Sequence, residues 1–569
     1  MNETLETIFG LIGGLALFLY GMNQMSTALQ KAAGDKMRQV LALLTKNPLL
    51  GAIAGALVTA VLQSSSATTV MAIGFVSAGL MGLPQAISII FGANIGTTMT
   101  AQLMAFKISN YIYPIIFIGF IIQFIAKNEK VKSIGTVIFS FGLLFEGIEI
   151  MGSVMKPLAS SPIFTDLMGK VADIPILGVL LGACMTLLVQ SSSATIAVLQ
   201  NFASQAGADG VSSVIGLTGA IPILLGDNIG TTITALLASI GQSKNAKRTA
   251  IAHSIFNISG SVVFLFLIDP FAKFVAWISP KGDELEIISR QIANAHTAFN
   301  IICTLVWLPL LPIMVKIVCF IIRGDDKPAV VAGYAPQYLD QNVLGQPVAA
   351  VYLVTEELNR CAEYAANLLR SARIEITEGS TKADQTAFDD AYTGVKSLED
   401  DITQYITNLF SGGGLTDEQA EQAAGLLYVS NNIERIADRC RDITDSVRTL
   451  TEGGRTLSDD AKAEIAECFQ TAADLFSRSI RVAQNGNAED IQAVNEGRKK
   501  LRKAEKKFNR AHLRRVQDQT CDTELTAAYT GILYQFDRIA DNCAMIAEEA
   551  QENVTFSQLA LPRETESAT

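Results

Sequence analysis

The chain has 569 residues with 44 Lys+Arg and 55 Asp+Glu, unevenly spread: residues 1–323 carry 18 basic and 14 acidic side chains, residues 324–569 carry 26 and 41. An apolar, nearly neutral half followed by a strongly acidic one excludes a single globular fold and indicates a membrane part joined to a soluble part. Three histidines exclude a His-rich metal site, and eight scattered cysteines without a CxxC pair exclude a disulfide framework.

Met1 to Glu6 holds two acidic residues and no basic one before the first apolar run, the opposite of a signal-peptide start, so that run is expected to stay as a helix. Taking about 20 apolar residues per crossing, full spans are expected at 8–28, 111–126, 134–155, 249–268 and 292–322. Two longer regions, 49–105 and 176–239, are apolar but rich in Gly, Ser, Thr and Asn. Lipid-facing helices do not need that composition, whereas interrupted helices lining a cavity do.

Basic residues assign sides. Lys31, Lys36, Arg38 and Lys46 against Asp35 put that loop inside and the N-terminus outside. Lys127, Lys130 and Lys132, then Lys244, Lys247 and Arg248, mark two more inner loops, and Arg323 with Lys316 puts the C-terminal half in the cytosol. The 156–174 loop balances Lys156 and Lys170 with Asp166 and Asp173, and the 269–290 loop is net acidic, so both are expected outside.

The apolar half is duplicated. GAIAGALVTAVLQSSSA (51–67) aligns with GVLLGACMTLLVQSSSA (178–194), and GANIGTT (92–98) with GDNIGTT (226–232). LFLYGMNQM (17–25) echoes LLFEGIEIM (143–151). Scattered glycines suit close helix packing, but packing does not demand Gln before three serines twice. With one copy starting inside and the other outside, each unit crosses an odd number of times and the two are inverted, as in many secondary transporters with a midplane site. Each QSSS region is expected to be a re-entrant hairpin and each GxNIGTT to lie in the following broken helix.

A cluster of hydroxyls and amides suits hard cations through its oxygens, and oxyanions through hydroxyl and backbone N–H donors aided by a half-helix dipole. Neither motif contains Lys, Arg or His, which favours an anion bound together with cations. Asp227, where the first copy has Ala93, is a candidate cation ligand or a helix cap. Glu146 and Glu149 either line the cavity or snorkel near a helix end. The AHxxFN pair, His253/Asn257 and His296/Asn300, suits interhelical hydrogen bonds better than direct substrate contact.

Residues 324–348 read as a linker, and from 349 the pattern is amphipathic helix broken at Gly412–Gly414, Gly453–Gly454 and Asn485–Asn487. ERIADRC (434–440) repeats as DRIADNC (537–543). Glu434 and Asp438, and likewise Asp537 and Asp541, share a helix face, which suits either a metal or a solvated surface. The basic run Arg498 to Arg515 lacks interleaved aromatics in an acidic half, so no nucleic acid is expected as a partner.

The paired QSSSAT and GxNIGTT motifs with AHxxFN resemble the bacterial form of the type II sodium–phosphate cotransporters, over about 1–320. That resemblance implies Na⁺-coupled movement of inorganic phosphate, with sodium as coupling ion. It implies that Gln63, Ser64, Ser65, Ser66, Gln190, Ser191, Ser192 and Ser193 form the phosphate and sodium site. Asn94, Thr97, Thr98, Asn228, Thr231 and Thr232 would supply ligands or shape the broken helices. The repeated (E/D)RIAD resembles the PhoU-like phosphate regulators, which implies a divalent or iron-type metal held by acidic clusters. Leu398–Asp401 would face the first pair, while Glu505-Lys506-Lys507 suggests that the second cluster is degraded.

The expected architecture is therefore all-α. It comprises a multi-pass cell (inner) membrane domain, 1–323, with inverted repeats near 8–126 and 134–268 and an extra helix 292–322. A cytosolic PhoU-like helical bundle occupies 349–569. Expected partners are inorganic phosphate, Na⁺ and the bilayer, with a homodimer or a cytosolic regulatory partner as candidates. The expected function is sodium-coupled phosphate symport regulated by the bundle. The alternatives are a membrane-anchored phosphate-signalling regulator or an exporter using the same site. No catalytic Ser/His/Asp set, GxxxxGK[ST] loop or CxxC points to an enzyme.

Overall fold

The computed structural model describes residues 3–33, 47–106, 108–159, 170–171, 173–207, 209–324, 334–377, 381–412 and 415–552. Asp35, Lys36, Arg38, Lys46, Asp166, Gly413, Gly414 and linker residues 325–333 lie outside them, as does the side chain of Lys156. The described residues are helical with no β-strand, and the chain divides near residue 326 into two compact units.

The first unit contains α1 (Glu3–Ala33), α2 (Pro48–Leu62), α3 (Ser65–Ser77), α4 (Leu83–Met104), α5 (Ile112–Ile125) and α6 (Glu129–Ala159). It continues with α7 (Pro175–Val189), α8 (Ser192–Ala203), α9 (Gly216–Gly230), α10 (Thr232–Ala238), α11 (Lys244–Leu265), α12 (Ile268–Ile278), α13 (Glu284–Trp307) and α14 (Leu311–Ile321). Among the described residues three segments are long and apolar enough to cross a membrane, α1, α6 and α9 taken with α10, or up to six if each bent pair is one span. The bends separate α4 from α5 by 78°, α11 from α12 by 95° and α13 from α14 by 84°.

Two expectations change here. The single span 292–322 is broken between Trp307 and Leu311, where Pro309 falls between the helices and Pro312 opens α14. The 269–290 loop is instead α12 and the start of α13. Asp269 and Pro270 open α12, whose Phe271, Ala272 and Val275 are buried, with Phe271 edge-on to Phe264 at 4.6 Å.

The duplication recurs as packing: α1 lies along α6, α2 along α4 and α7 along α9. The motif glycines make the last two contacts close. A Cβ on Gly92 would strike the Ala52 carbonyl, and one on Gly226 the Val179 carbonyl. These glycines serve helix approach.

The two hairpins open at different ends of the unit. At one end Ser77, at the close of α3, bonds Gln242 at 2.6 Å, and Arg248 reaches the carbonyls of Ile322 (2.8 Å) and Gly324 (2.5 Å). At the other, Ser204 of the α7–α8 hairpin meets Ser289 at 3.0 Å, and Arg290 donates to Gln102 Oε1 at 2.7 Å. α4 runs between these ends, about 33 Å at 1.5 Å per residue.

The second unit holds two three-helix sets: α15 (Pro347–Thr377), α16 (Lys382–Ser411) and α17 (Asp417–Glu452), then α18 (Asp459–Asn485), α19 (Ala488–Gln517) and α20 (Thr526–Glu552). One core joins both sets, with α15 against α18 and α17 against α20. The end of the expected linker packs on this unit. The buried Glu357 carboxylate accepts the backbone N–H groups of Gln337 (2.8 Å) and Tyr338 (2.7 Å).

Candidate functional site

Each QSSS segment is a helix break built by two caps. Gln63 (φ 52) and Gln190 (φ 54) adopt the left-handed conformation that ends α2 and α7. Ser64 and Ser191 then cap α3 and α8, their hydroxyls accepting from the N–H of Ala67 (3.2 Å) and Ala194 (3.3 Å). Ser65 and Ser66, like Ser192 and Ser193, occupy the first helical turn, where backbone N–H groups have no intrahelical partner. Each break therefore presents a half-helix N-terminus flanked by hydroxyls, the arrangement that attracts anions.

The copies differ in surroundings. Gln63 is buried and its Oε1 accepts from Thr100 at 2.6 Å, whereas Gln190 is exposed. No hydrogen bond joins the two QSSS breaks among the described residues; Ser66 of the first break is instead reached from the second repeat by Thr234 of α10, which donates to it at 3.1 Å.

The GxNIGTT residues point elsewhere. Thr97 and Thr98 donate to the carbonyls of Ala93 (3.1 Å) and Ile95 (2.7 Å), and Thr231 and Thr232 to those of Asp227 (2.9 Å) and Ile229 (2.8 Å). Their protons are spent on their own helix, so only oxygen lone pairs remain, which suits a cation and not an anion. The first motif lies within α4, ahead of its 78° bend from α5, while the second reaches the break at Thr231, between α9 and α10.

Asn94 and Asn228 instead hold helices together. Asn94 Oδ1 lies 3.4 Å from His253 Nε2 and 3.5 Å from Asn257 Nδ2, and Asn300 Nδ2 donates to Asn228 Oδ1 at 3.3 Å. The AHxxFN motifs are thus fully buried interhelical contacts, and Phe256 and Phe299 are core residues.

Asp227 is fully buried. Thr186 donates to its Oδ1 at 2.6 Å and lies 2.9 Å from Thr195, while Oδ2 has no partner. A buried carboxylate oxygen left unpaired is costly unless a cation or a proton neutralises it. Of the two glutamates left open by the sequence, Glu149 lines a cavity, whereas Glu146 accepts from Tyr113 at 3.4 Å. The cavity was not legible in the sequence, because its walls come from four separate helices.

In the second unit the acidic pairs are matched by cations. Lys396 bonds Glu434 and lies 3.8 Å from Asp438, which also accepts from Tyr392 at 3.0 Å. Arg502 reaches Asp537 (3.0 Å) and Asp541 (2.8 Å), and Arg498 reaches Asp541 at 2.7 Å. No three His, Cys, Asp or Glu side chains gather as metal ligands among the described residues. Glu434, Asp438, Asp537 and Asp541 therefore fit an ion-pair network and do not fit a metal site. Of the acidic run expected to face Glu434, Glu399 is buried near it and accepts from Thr403 at 2.8 Å, while Lys396 supplies the neutralising charge. That burial, with Glu434 nearby, raises the Glu399 carboxyl above its ordinary range.

A family model described as Na⁺/Pi-cotransporter matches residues 17–153 and again 147–278, once on each repeat. The Bacillus subtilis (strain 168) uncharacterized protein YqeW is 34% identical over 266 residues, 47% of this chain and 84% of that protein. The chain belongs to the Na⁺/Pi-cotransporter family. This family member also matches the PhoU domain over residues 465–550, the second three-helix set. The putative inorganic phosphate export protein YjbB of Escherichia coli (strain K12) is 23% identical over 545 residues, 94% of this chain and 95% of that protein. Human sodium-dependent phosphate transport protein 2B is 39% identical over 97 residues, 17% of this chain and 14% of that protein. No solved structure matches.

Proposed function

We propose that this family member is a sodium-coupled symporter of inorganic phosphate in the cell membrane, with a regulatory PhoU-like domain in the cytosol. The observation that carries the reading is the pair of QSSS breaks, each offering a half-helix N-terminus and serine hydroxyls to an anion. In this reading Gln63–Ser66 and Gln190–Ser193 cradle phosphate. Oxygens of Thr97, Thr98, Thr231 and Thr232, with the Asp227 carboxylate, take Na⁺. Asn94 and Asn228 hold the surrounding helices.

The two hairpins form inverted re-entrant loops in this account, with the N-terminus outside. The separation of the Ser77 and Ser204 ends supports that orientation, as does Arg248 clustering with the Ile322 and Gly324 carbonyls on the basic side. Na⁺ co-binding answers the absence of fixed positive charge in either motif. Once neutralised by a cation, Asp227 no longer repels an approaching phosphate.

A second reading is phosphate export through the same site, favoured by the likeness to YjbB along nearly the full chain. The two differ in gradient and not in architecture. The test is ³²P-phosphate flux in proteoliposomes under imposed Na⁺ gradients of either sign. Flux that follows the Na⁺ gradient supports coupling, and flux indifferent to Na⁺ refutes it.

A further inference from the structure

A cavity of about 380 Å³ opens beside α8, bounded by α4, α6, α8 and the start of α13. We propose that it is a binding site for a hard monovalent cation, separate from the QSSS breaks and built from the second repeat. The assignment of that cation as Na⁺ rests on the symport reading; the cation chemistry does not.

The donor and acceptor inventory decides the sign of the ligand. Gln200 donates its amide protons to the carbonyls of Ala101 (3.1 Å) and Ser289 (2.9 Å). Ser204 donates to the Gln200 carbonyl at 2.9 Å, and Asn201 to that of Ile148 at 2.6 Å. Ser109 donates to Glu149 at 2.9 Å, while Ser153 and Gln205 donate to the carbonyls of Ile150 (2.8 Å) and Asn201 (3.2 Å). The donors are thus largely committed to protein oxygens, which leaves little for an anion.

Part of the acceptor set stays open. Gln200 is 3% exposed, lines the cavity, and its Oε1 has no partner. Among the described residues of the wall Glu149 supplies the one formal charge, and the hydroxyl oxygens of Ser204 and Ser289 sit 3.0 Å apart. Acceptor oxygens around a carboxylate suit a hard cation. The first repeat has no equivalent, because the residues 127 positions earlier than Gln200 and Asn201 are Ile73 and Gly74. Ala197, also in the wall, lies one helical turn from Ser193, so the cavity reaches toward the second QSSS break.

The test uses the full-length protein with two readouts. In proteoliposomes, Glu149→Gln is expected to raise the Na⁺ concentration for half-maximal phosphate uptake at least threefold, with the phosphate KM at saturating Na⁺ unchanged. In detergent without phosphate, the gain in Tm on replacing choline by Na⁺ is expected to shrink in the same variant. Glu149→Asp should restore part of both. A folded Glu149→Gln protein with an unaltered Na⁺ response in both assays overturns the proposal. If that variant misfolds, Ser289→Ala, which removes one wall oxygen, carries the same comparison. Wild-type uptake indifferent to Na⁺ defeats the symport reading alone, since the Tm response still reports on the cavity.

Discussion

The Thr186 hydroxyl donates to the Asp227 carboxylate at 2.6 Å, whereas its counterpart Thr59 bonds only Thr68, at 2.8 Å, because the first repeat has Ala93 in place of the acid. The two QSSS breaks are therefore alike in backbone, while the acid beside the second makes the copies differ in charge. Asp227→Asn keeps the shape and removes the charge. It is expected to raise the half-saturating Na⁺ concentration roughly tenfold, about 1.4 kcal/mol. Uptake measured against Na⁺ concentration at saturating phosphate checks this, and an unchanged Na⁺ curve would remove Asp227 from the cation site.

The N-caps make a different prediction. Ser64→Ala and Ser191→Ala each delete an acceptor for a first-turn N–H, which costs about 1 kcal/mol of local stability. Because the cap also sets the break, both variants should lose phosphate uptake far more than they lose Tm. Ser65→Ala and Ser192→Ala leave the caps intact, so their defect should appear mainly as a raised phosphate KM.

Asn94 should behave as a structural residue. Asn94→Ala leaves buried His253 and Asn257 without their shared acceptor and is expected to cost about 1–3 kcal/mol. Thermal unfolding would show a lowered Tm, while the residual folded protein keeps its phosphate KM. A raised KM with unchanged stability would place Asn94 at the ligand instead.

In the PhoU-like unit, Arg498→Ala and Arg502→Ala are expected to destabilise by about 1 kcal/mol or less each, because these pairs are partly exposed. Chelator and added Mn²⁺ or Fe³⁺ should leave the wild-type Tm unchanged. A stoichiometric metal in the purified protein would contradict the ion-pair assignment.

Glu399 carries a pH prediction. Burial raises its folded pKa above the ordinary 4.5, so the folded state holds the proton more tightly than the unfolded state. Stability is then lost as pH rises from the ordinary carboxyl range through the raised value. Glu399→Gln removes that loss. Its advantage in Tm over wild type should grow from acid toward neutral pH and vanish at the acid end.

Much of this was legible in the sequence because it is local. Gln63-Ser64 and Gln190-Ser191 are cap chemistry written in adjacent residues, and Asn485-Gly486-Asn487 is a helix stop, with Gly486 at φ 67. What the sequence hid is long-range. Nothing near Glu434 says that Lys396, 38 residues earlier, neutralises it, nor that Arg498 and Arg502 do the same for Asp537 and Asp541. The AHxxFN motifs were legible as helix contacts but not as partners of Asn94 and Asn228. The α13–α14 bend was missed because apolarity continues through Pro309, and a hydropathy window does not register an 84° turn.

The most direct test of the central claim is ³²P-phosphate uptake by the reconstituted full-length protein, driven by an inward Na⁺ gradient and compared with an equal K⁺ gradient. The account predicts concentrative uptake with Na⁺ only, abolished by Ser65→Ala with Ser192→Ala. Equal uptake under both gradients, or uptake that survives the double substitution, would contradict it.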